Sequence, residues 1–192
     1  MQAQALAGGF DDAPRDAAYA FRQIMEATAR PGTIRKLSGI APPAPLSPAV
    51  GAALLTLCDA DTPVYLAGDT DCEVVHQWLA FHTGAPFSEP DTCMFAVGPW
   101  TALLPLSAYP IGDTQYPDRS ATLIVELSDL HSAGTTLSGP GIREKVQLSL
   151  PDPSELARNH ARFPLGLDFL FTSADKIAGL PRSTRIHLTE DS

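Results

Sequence analysis

The sequence predicts a three-layer α/β domain in which helices cover a mixed β-sheet, and three features of the chain indicate it. Helical and strand-like apolar patterns alternate through the first half, and strand-like runs predominate in the second. Residues 121–127 are almost wholly apolar, as is typical of a strand that is buried on both faces of a sheet. The chain has 192 residues and no internal repeat, so we expect residues 1–192 to form one domain.

Composition limits the classes of function that are open to the chain. Hydrophobic residues make up 44% and charged residues 18% of a chain with net charge −9, which is a globular composition. Binding to nucleic acid or to an anionic membrane needs clustered Lys and Arg, so we expect neither partner. A few local arginines can still hold a small phosphorylated ligand in an acidic protein.

The cysteines and the N-terminal residues indicate a reducing compartment. The chain has an odd number of cysteines: Cys58, Cys72 and Cys93. No two of them form a C-x-x-C pair and all lie in apolar segments, so we expect buried free thiols. The first twenty residues have no apolar core preceded by positive charge, and no apolar run approaches the length of a membrane span. We therefore expect a cytoplasmic protein.

The first half of the chain predicts three helices separated by short strands. Asp12 is placed to cap the first helix, and Arg30-Pro31-Gly32 ends it. Ser47 caps a second, buried helix, and Asp71 is placed to cap a third that ends at Gly84. The apolar stripe predicted for the first helix comprises Ala17, Ala18, Phe21, Ile24, Met25 and Thr28. Strands are predicted at residues 33–37, 63–67 and 93–97.

The second half predicts mainly strands, joined by loops rich in Gly and Pro. Residues 107–120 form a long polar and aromatic loop, and loops of this length in compact domains are often functional. The loop leads into the central strand at residues 121–127. Further strands are predicted at residues 135–138 and 146–150, paired antiparallel around Gly139-Pro140-Gly141, and at 167–172 and 185–189, with a short helix at 153–162.

Complete catalytic motifs are absent from the sequence. It contains neither G-x-x-x-x-G-K-[ST] nor G-x-G-x-x-G, the two phosphate-binding motifs, and no G-x-S-x-G nucleophile elbow. No pair of its five histidines has the spacing of a zinc site, so no metal is expected. His82 is a candidate ligand-binding residue because it ends a helix beside Thr83-Gly84-Ala85-Pro86; a hydrogen-bonded or surface imidazole is the alternative.

Schiff-base chemistry with pyridoxal phosphate is not expected from the lysines. Such chemistry needs a desolvated lysine that faces the cofactor. The lysines are Lys36, Lys145 and Lys176, and the last follows a turn-like polar segment, which predicts an exposed side chain.

Two loops supply further candidate ligand-binding residues. In the loop before the central strand, Arg119 can grip an anion and Asp118 can orient a hydroxyl or accept a proton. A capped turn is the alternative interpretation of the same residues. The backbone N–H groups of Gly139 and Gly141 can face a phosphate, or the two glycines can serve only a hairpin turn.

Asp168 and Arg182 are the last pair of candidates. The carboxylate of Asp168 is flanked by apolar residues of a strand, where an unpaired charge is costly. Two arrangements are open. Either Asp168 and Arg182 form a structural pair, or Arg182 points into a cleft and is the best anion-binding candidate of the chain.

Several of these candidates lie in short sequence segments that follow one another in a characteristic order along the chain. They include Thr62-Pro63-Val64, Phe81-His82-Thr83, Gly139-Pro140-Gly141-Ile142, Phe163-Pro164-Leu165-Gly166 with Asp168, and Leu180-Pro181-Arg182-Ser183-Thr184. The ordered set spans nearly the whole chain and resembles the PhnH family, a subunit of the bacterial carbon–phosphorus lyase core complex. The last phrase has Ser183 where the family pattern has threonine, which keeps a hydroxyl, and Ser183 is included among the candidates.

The resemblance implies a fold like the large domain of pyridoxal-phosphate-dependent transferases, without the cofactor. It implies a homodimer that also joins the partner subunits of the complex. With those partners, the family transfers the ribose triphosphate of ATP to methylphosphonate and releases adenine, a step of organic phosphonate catabolism. We therefore expect a transferase subunit that is not active alone and that contributes to a shared site for an ATP or phosphonate ligand. The alternative is a non-catalytic dimeric scaffold that docks the catalytic subunits.

Overall fold

Nine strands and four α-helices make up the regular structure of residues 7–188, the part of the chain that the computed structural model describes. The strands are β1 (Arg35–Lys36), β2 (Val64–Leu66), β3 (Phe95–Pro99), β4 (Thr122–Glu126), β5 (Thr135–Ser138), β6 (Val146–Leu148), β7 (Asp168–Ser173), β8 (Lys176–Leu180) and β9 (Arg185–His187). The helices are α1 (Ala13–Ala29), α2 (Pro48–Leu57), α3 (Glu73–Thr83) and α4 (Pro153–His160).

The strands form two sheets. The larger sheet is six-stranded, in the order β1-β8-β7-β4-β3-β2. Its strands β2, β3, β4 and β7 are parallel; β8 pairs antiparallel with β7, and the edge strand β1 pairs antiparallel with β8. The smaller sheet is three-stranded and antiparallel, in the order β6-β5-β9. The predictions of the α/β class, a mixed sheet and an antiparallel β5–β6 hairpin are confirmed.

The large sheet separates two hydrophobic clusters. Successive residues of a strand point to opposite faces, so Leu170 packs with α1, α2 and α3, whereas Phe169 and Phe171 pack on the other side. That other side is covered by the small sheet and α4. Strand β4 lies between β3 and β7, and its apolar sequence predicted this interior position.

The buried face of α1 differs from the predicted stripe. The buried positions are Ala20, Ile24 and Ala27. Phe21 and Met25 are 48% and 54% exposed. A Cβ added to Gly179 of β8 would lie 2.6 Å from the Cα of Thr28. The backbone of α1 therefore packs directly on β8 near its C-terminal end.

Helix ends follow the predicted signals in three of five cases. Helix α1 ends at Ala29 with Arg30 as its C-cap, as the sequence Arg30-Pro31-Gly32 predicts. The Ser47 hydroxyl accepts a hydrogen bond from the Val50 N–H at 3.3 Å, and Gly84 ends α3 with a φ of +70°, so both predictions are confirmed. Asp12 is the N-cap of α1, but its side chain makes no cap hydrogen bond.

The predicted cap of α3 is wrong. Cys72, and not Asp71, precedes the helix. The Asp71 carboxylate instead lies 2.6 Å from Nε2 of His76, and this hydrogen bond takes the side chain away from the first helical N–H groups.

Strand β8 has no counterpart in the sequence prediction, which gives Lys176 an exposed side chain after a turn-like segment. Lys176 begins β8, its side chain is 38% exposed, and its Nζ donates to the Leu130 carbonyl at 3.1 Å. The turn from β7 contains Ala174 in the left-handed region, at a φ of +53°. Glycine or asparagine usually marks such a position, so the sequence lacks the usual signal of a tight turn.

None of the helices within residues 7–188 is long and apolar enough to cross a membrane. Cys58 and Cys93 are buried free thiols, as predicted, whereas Cys72 is only partly buried. Burial raises the pKa of the Cys58 thiol to about 12 and that of Cys93 to about 11, so both are protonated and unreactive at neutral pH.

Candidate functional site

Several candidate residues lie together at the amino edge of the parallel strands. Asp168 is the first residue of β7, and residues 117–120 come shortly before β4. Strand β8 runs antiparallel to β7, so Arg182, two residues after β8, returns to the same edge. Open α/β sheets usually bind ligands at the carboxyl edge, and these loops lie at the opposite one.

Arg182 and Asp168 form an ion pair. The backbone N–H and the Nε of Arg182 donate to Oδ1 of Asp168 at 2.8 and 3.2 Å, and Nη2 donates to Oδ2 at 2.5 Å. The two side chains are 12% and 31% exposed. Of the two arrangements that the sequence left open, the structure contains the pair.

The guanidinium of Arg182 also holds the loop before β4. Its Nη1 donates to the Pro117 carbonyl at 2.7 Å, and its Nη2 donates to the Ser120 hydroxyl. A guanidinium has five N–H donors, and the contacts with Asp168, Pro117 and Ser120 engage four of them. One Nη1 donor remains, so Arg182 can give an anion a single hydrogen bond but not a bidentate pair.

Four candidates line a shallow cavity of about 350 Å³ at this edge, which we call the polar cavity: Asp118, Asp168, Arg182 and Ser183. Two of these side chains are carboxylates and one is cationic, so their formal charge is 2 × (−1) + 1 = −1. A wall with this charge suits hydroxyl and amino donors better than it suits a phosphate.

Arg119 and the two glycines lie outside the polar cavity. The guanidinium carbon of Arg119 is 4.0 Å from the ring centroid of Tyr116, which is a cation–π contact within the loop. The Ile142 N–H donates to the Gly139 carbonyl at 3.1 Å and closes a turn. A Cβ added to Gly141 would lie only 2.0 Å from the Ala29 carbonyl oxygen, so the turn packs against the end of α1.

His82 also lies apart from the polar cavity, beneath the segment 7–10. A Cβ added to Gly9 would be 2.5 Å from its Cε1, and its ring centroid is 5.1 Å from that of Trp78. The Trp78 Nε1 donates to the Ala7 carbonyl at 3.1 Å and fixes the segment. Nε2 of His82 is buried and has no hydrogen-bond partner within residues 7–188, and burial lowers the pKa of the imidazole.

The lowered pKa of His82 predicts a pH-dependent stability. The unfolded chain binds a proton at His82 more readily than the folded one, so the free energy of unfolding falls as the pH decreases through the ordinary histidine range near 6.5. We expect His82→Phe to reduce this slope between about pH 7 and pH 5. Urea denaturation across that range measures it.

Val74→Ala is the control, because Val74 is exposed on the same helix and the substitution keeps both the imidazole and the Trp78–Ala7 bond that fixes segment 7–10. We expect the control to retain the slope. An identical slope in His82→Phe and the parent protein would contradict the prediction.

Two functionally placed residues escaped the sequence interpretation. Glu126 ends β4 at the carboxyl edge, where Ser47 and Thr172 donate to its Oε2 at 2.6 and 3.1 Å. Burial raises the pKa of this carboxyl group. The sequence signal that could have identified Glu126 is its position directly after the apolar run Leu123-Ile124-Val125.

Asn159 of α4 is the second residue that the sequence interpretation missed. Its Nδ2 donates to the Leu167 carbonyl and its Oδ1 accepts from the Leu167 N–H, each at 2.8 Å. The buried amide thereby fixes α4 to the residue that precedes β7 and the ion pair. No group of three His, Cys, Asp or Glu side chains in residues 7–188 is arranged to hold a metal ion.

The fold and site define an α/β protein with an arginine–carboxylate pair at the amino edge of its parallel strands. Residues 8–187 match the model of a family described as bacterial phosphonate metabolism protein (PhnH). The chain belongs to this family, and the resemblance inferred from its ordered phrases is confirmed.

Two curated relatives cover almost the same length. One, from Rhizobium meliloti (strain 1021), is named alpha-D-ribose 1-methylphosphonate 5-triphosphate synthase subunit PhnH; it is 40% identical over an alignment of 196 positions that covers 96% of this chain and 97% of the relative. Another, the putative C-P lyase subunit protein HtxG of Stutzerimonas stutzeri, is 28% identical over 204 residues, with 94% and 95% covered.

Proposed function

We propose that the chain is a subunit of the carbon–phosphorus lyase system that acts with partner subunits in phosphonate catabolism. The proposed reaction transfers the ribose triphosphate of ATP to methylphosphonate: the bond from the anomeric carbon to adenine breaks, and a bond to a phosphonate oxygen forms. The main support is the relative that is 40% identical over 96% of this chain and bears the name of a subunit of such a synthase.

The geometry suggests how this chain shares in the reaction. Displacement at the anomeric carbon needs positive charge near the triphosphate, a clamp on the phosphonate and help for the leaving base. The polar cavity has a formal charge of −1 and a single spare N–H on Arg182, so we assign the triphosphate to partner subunits. Asp118 and Ser183 would contact the hydroxyls of the sugar at the edge of a shared site.

A non-catalytic scaffold is the second candidate, favoured by one observation. Arg182 engages four of its donors within this chain, as a residue does when it shapes a surface rather than binds a ligand. Exposed Phe21 and Met25 on α1 would suit a docking surface in either case. With both candidates we propose a single-domain cytoplasmic homodimer, similar in fold to the large domain of pyridoxal-phosphate-dependent transferases but without the cofactor.

Reconstitution of the transferase step separates the two candidates. We expect the assembled complex to release adenine and the complex without this chain to lose that activity. We also expect Asp118→Asn and Ser183→Ala to lower kcat/KM by about 10-fold, since each would remove one contact worth about 1.4 kcal/mol.

Asp69→Asn is the matched control, because Asp69 is exposed and lies outside the polar cavity. Parental activity of Asp118→Asn and Ser183→Ala, with the complex still dependent on the chain, would favour the scaffold. Release of adenine by a complex that lacks the chain would contradict the proposed function.

A further inference from the structure

A second cavity adjoins the polar cavity at the amino edge of the sheet, and we call it the apolar cavity. Its volume is about 280 Å³, and it lies among α1, the end of α2 and the first residues of β3, β4 and β7. Asp168 and Pro181 line both cavities. A ligand long enough to pass Asp168 would therefore occupy the two cavities together.

The wall of the apolar cavity combines apolar surface with a few polar groups. Ile24, Leu57 and Leu170 contribute aliphatic side chains, and Phe95 contributes an aromatic one. Thr28 and Thr122 carry the hydroxyls of the wall, and Asp168 is its charged residue. A mostly apolar wall with few polar groups is typical of small-molecule sites, and burying an anion beside a carboxylate would be costly.

The hydrogen bonds of Asp168 define what its carboxylate can still bind. A carboxylate offers about four acceptor positions. Arg182 occupies two on Oδ1, through its backbone N–H and Nε, and one on Oδ2, through Nη2. The remaining position is on Oδ2. A ligand must approach it with an N–H or O–H donor.

We propose that the apolar cavity binds a planar aromatic heterocycle that carries an amino group. The ring fills the apolar wall beside Phe95, and the amino group donates to Oδ2 of Asp168. This inference rests on the proposed function for its biological ligand, which is the adenine base of the ATP substrate.

Titration of the isolated full chain with adenine, followed by NMR chemical shifts, tests the proposal. We expect saturable binding with a Kd on the order of 1 mM, as for a small fragment. Purine, which lacks the amino group, should bind about 10-fold more weakly, since it leaves the Oδ2 position unpaired. This comparison tests the role of Asp168 without changing the protein. Tripolyphosphate should not compete with adenine.

Thr28→Phe and Arg22→Phe are the paired variants. Both positions are exposed on α1, but only Thr28 lines the apolar cavity, so only the phenylalanine at 28 would fill it. We expect Thr28→Phe to weaken adenine binding by at least about 10-fold and Arg22→Phe to leave it unchanged. Circular dichroism checks that both variants fold.

Three results would overturn the inference: equal affinity for adenine and purine, unchanged binding by folded Thr28→Phe, or no saturable adenine binding. In the last case, loss of complex assembly by Thr28→Phe would identify the apolar cavity as a docking pocket instead. If the complex needs the chain to release adenine while the chain alone does not bind it, the proposed function stands and this inference fails. If the complex does not need the chain, the proposed function fails, and binding of the heterocycle is judged by the titration alone.

Discussion

Asp168→Asn is expected to lower the free energy of unfolding by about 2 kcal/mol, less than the roughly 3–5 kcal/mol typical of a fully buried ion pair, because the Asp168 side chain is 31% exposed. The substitution leaves the guanidinium of Arg182, whose side chain is 12% exposed, without its countercharge. It also replaces one of the two acceptor oxygens with an NH₂ group that cannot accept a hydrogen bond from Arg182. Urea denaturation of the parent protein and the variant measures the difference.

Two further variants isolate the cause. Lys36→Gln breaks the exposed pair with Asp175, in which the lysine is 73% exposed, and we expect a change below about 0.5 kcal/mol. The double variant Asp168→Asn/Arg182→Gln should lose less stability than the sum of the two single losses, because the pair is broken only once and no unpaired charge remains. A double variant that loses the sum of the two single effects would show that the charge pair is not responsible.

Gly141→Ala is expected to lower the free energy of unfolding by about 3 kcal/mol, for a different reason. Gly141 has a φ of +79°, a conformation that costs an alanine roughly 1 kcal/mol. The new Cβ would also lie 2.0 Å from the carbonyl oxygen of Ala29, a clash that backbone movement must relieve at a further cost of about 2 kcal/mol.

Gly39→Ala separates the two contributions. Gly39 has a φ of +87°, and a Cβ added there would have no atom within 4 Å. We therefore expect it to lose only the conformational part, about 1 kcal/mol. Equal losses in thermal or urea denaturation for the two variants would contradict the close packing of the 139–141 turn on α1.

Local patterns of the sequence predicted most of the elements but not the contacts between distant ones. The apolar run of β4, the Ser47 cap and the Gly84 stop are each decided within a few residues, and all three predictions are confirmed. The buried face of α1 depends on contacts with other elements, where Ala20 and Ile24 join one hydrophobic cluster and Thr28 closely approaches Gly179 of β8. The missed strand β8 depends on a turn that Ala174 forms in place of glycine.

The candidate site shows the same division. The sequence left two alternatives for Arg182, a structural pair with Asp168 or a side chain that points into a cleft. Only the direction of the side chain in the structure decides between them. That direction is set partly by Pro117 and Ser120, in a loop that no local pattern connects to Arg182. The sequence around His82 and Gly141 resembles that of ligand-binding loops. In the structure His82 is covered by segment 7–10 and Gly141 packs against the end of α1, and neither contact could be read from the local sequence.

The contacts of Arg182 have a consequence for how screens of this family should be interpreted. The guanidinium of Arg182 joins the start of β7, the segment after β8 and the loop before β4. Both the shape of the polar cavity and the stability of the fold therefore depend on this one side chain. Selection for either property retains the arginine. Loss of growth on phosphonate after substitution at this position would not by itself identify a ligand contact. Only abundance of the protein, measured alongside growth, separates the two causes.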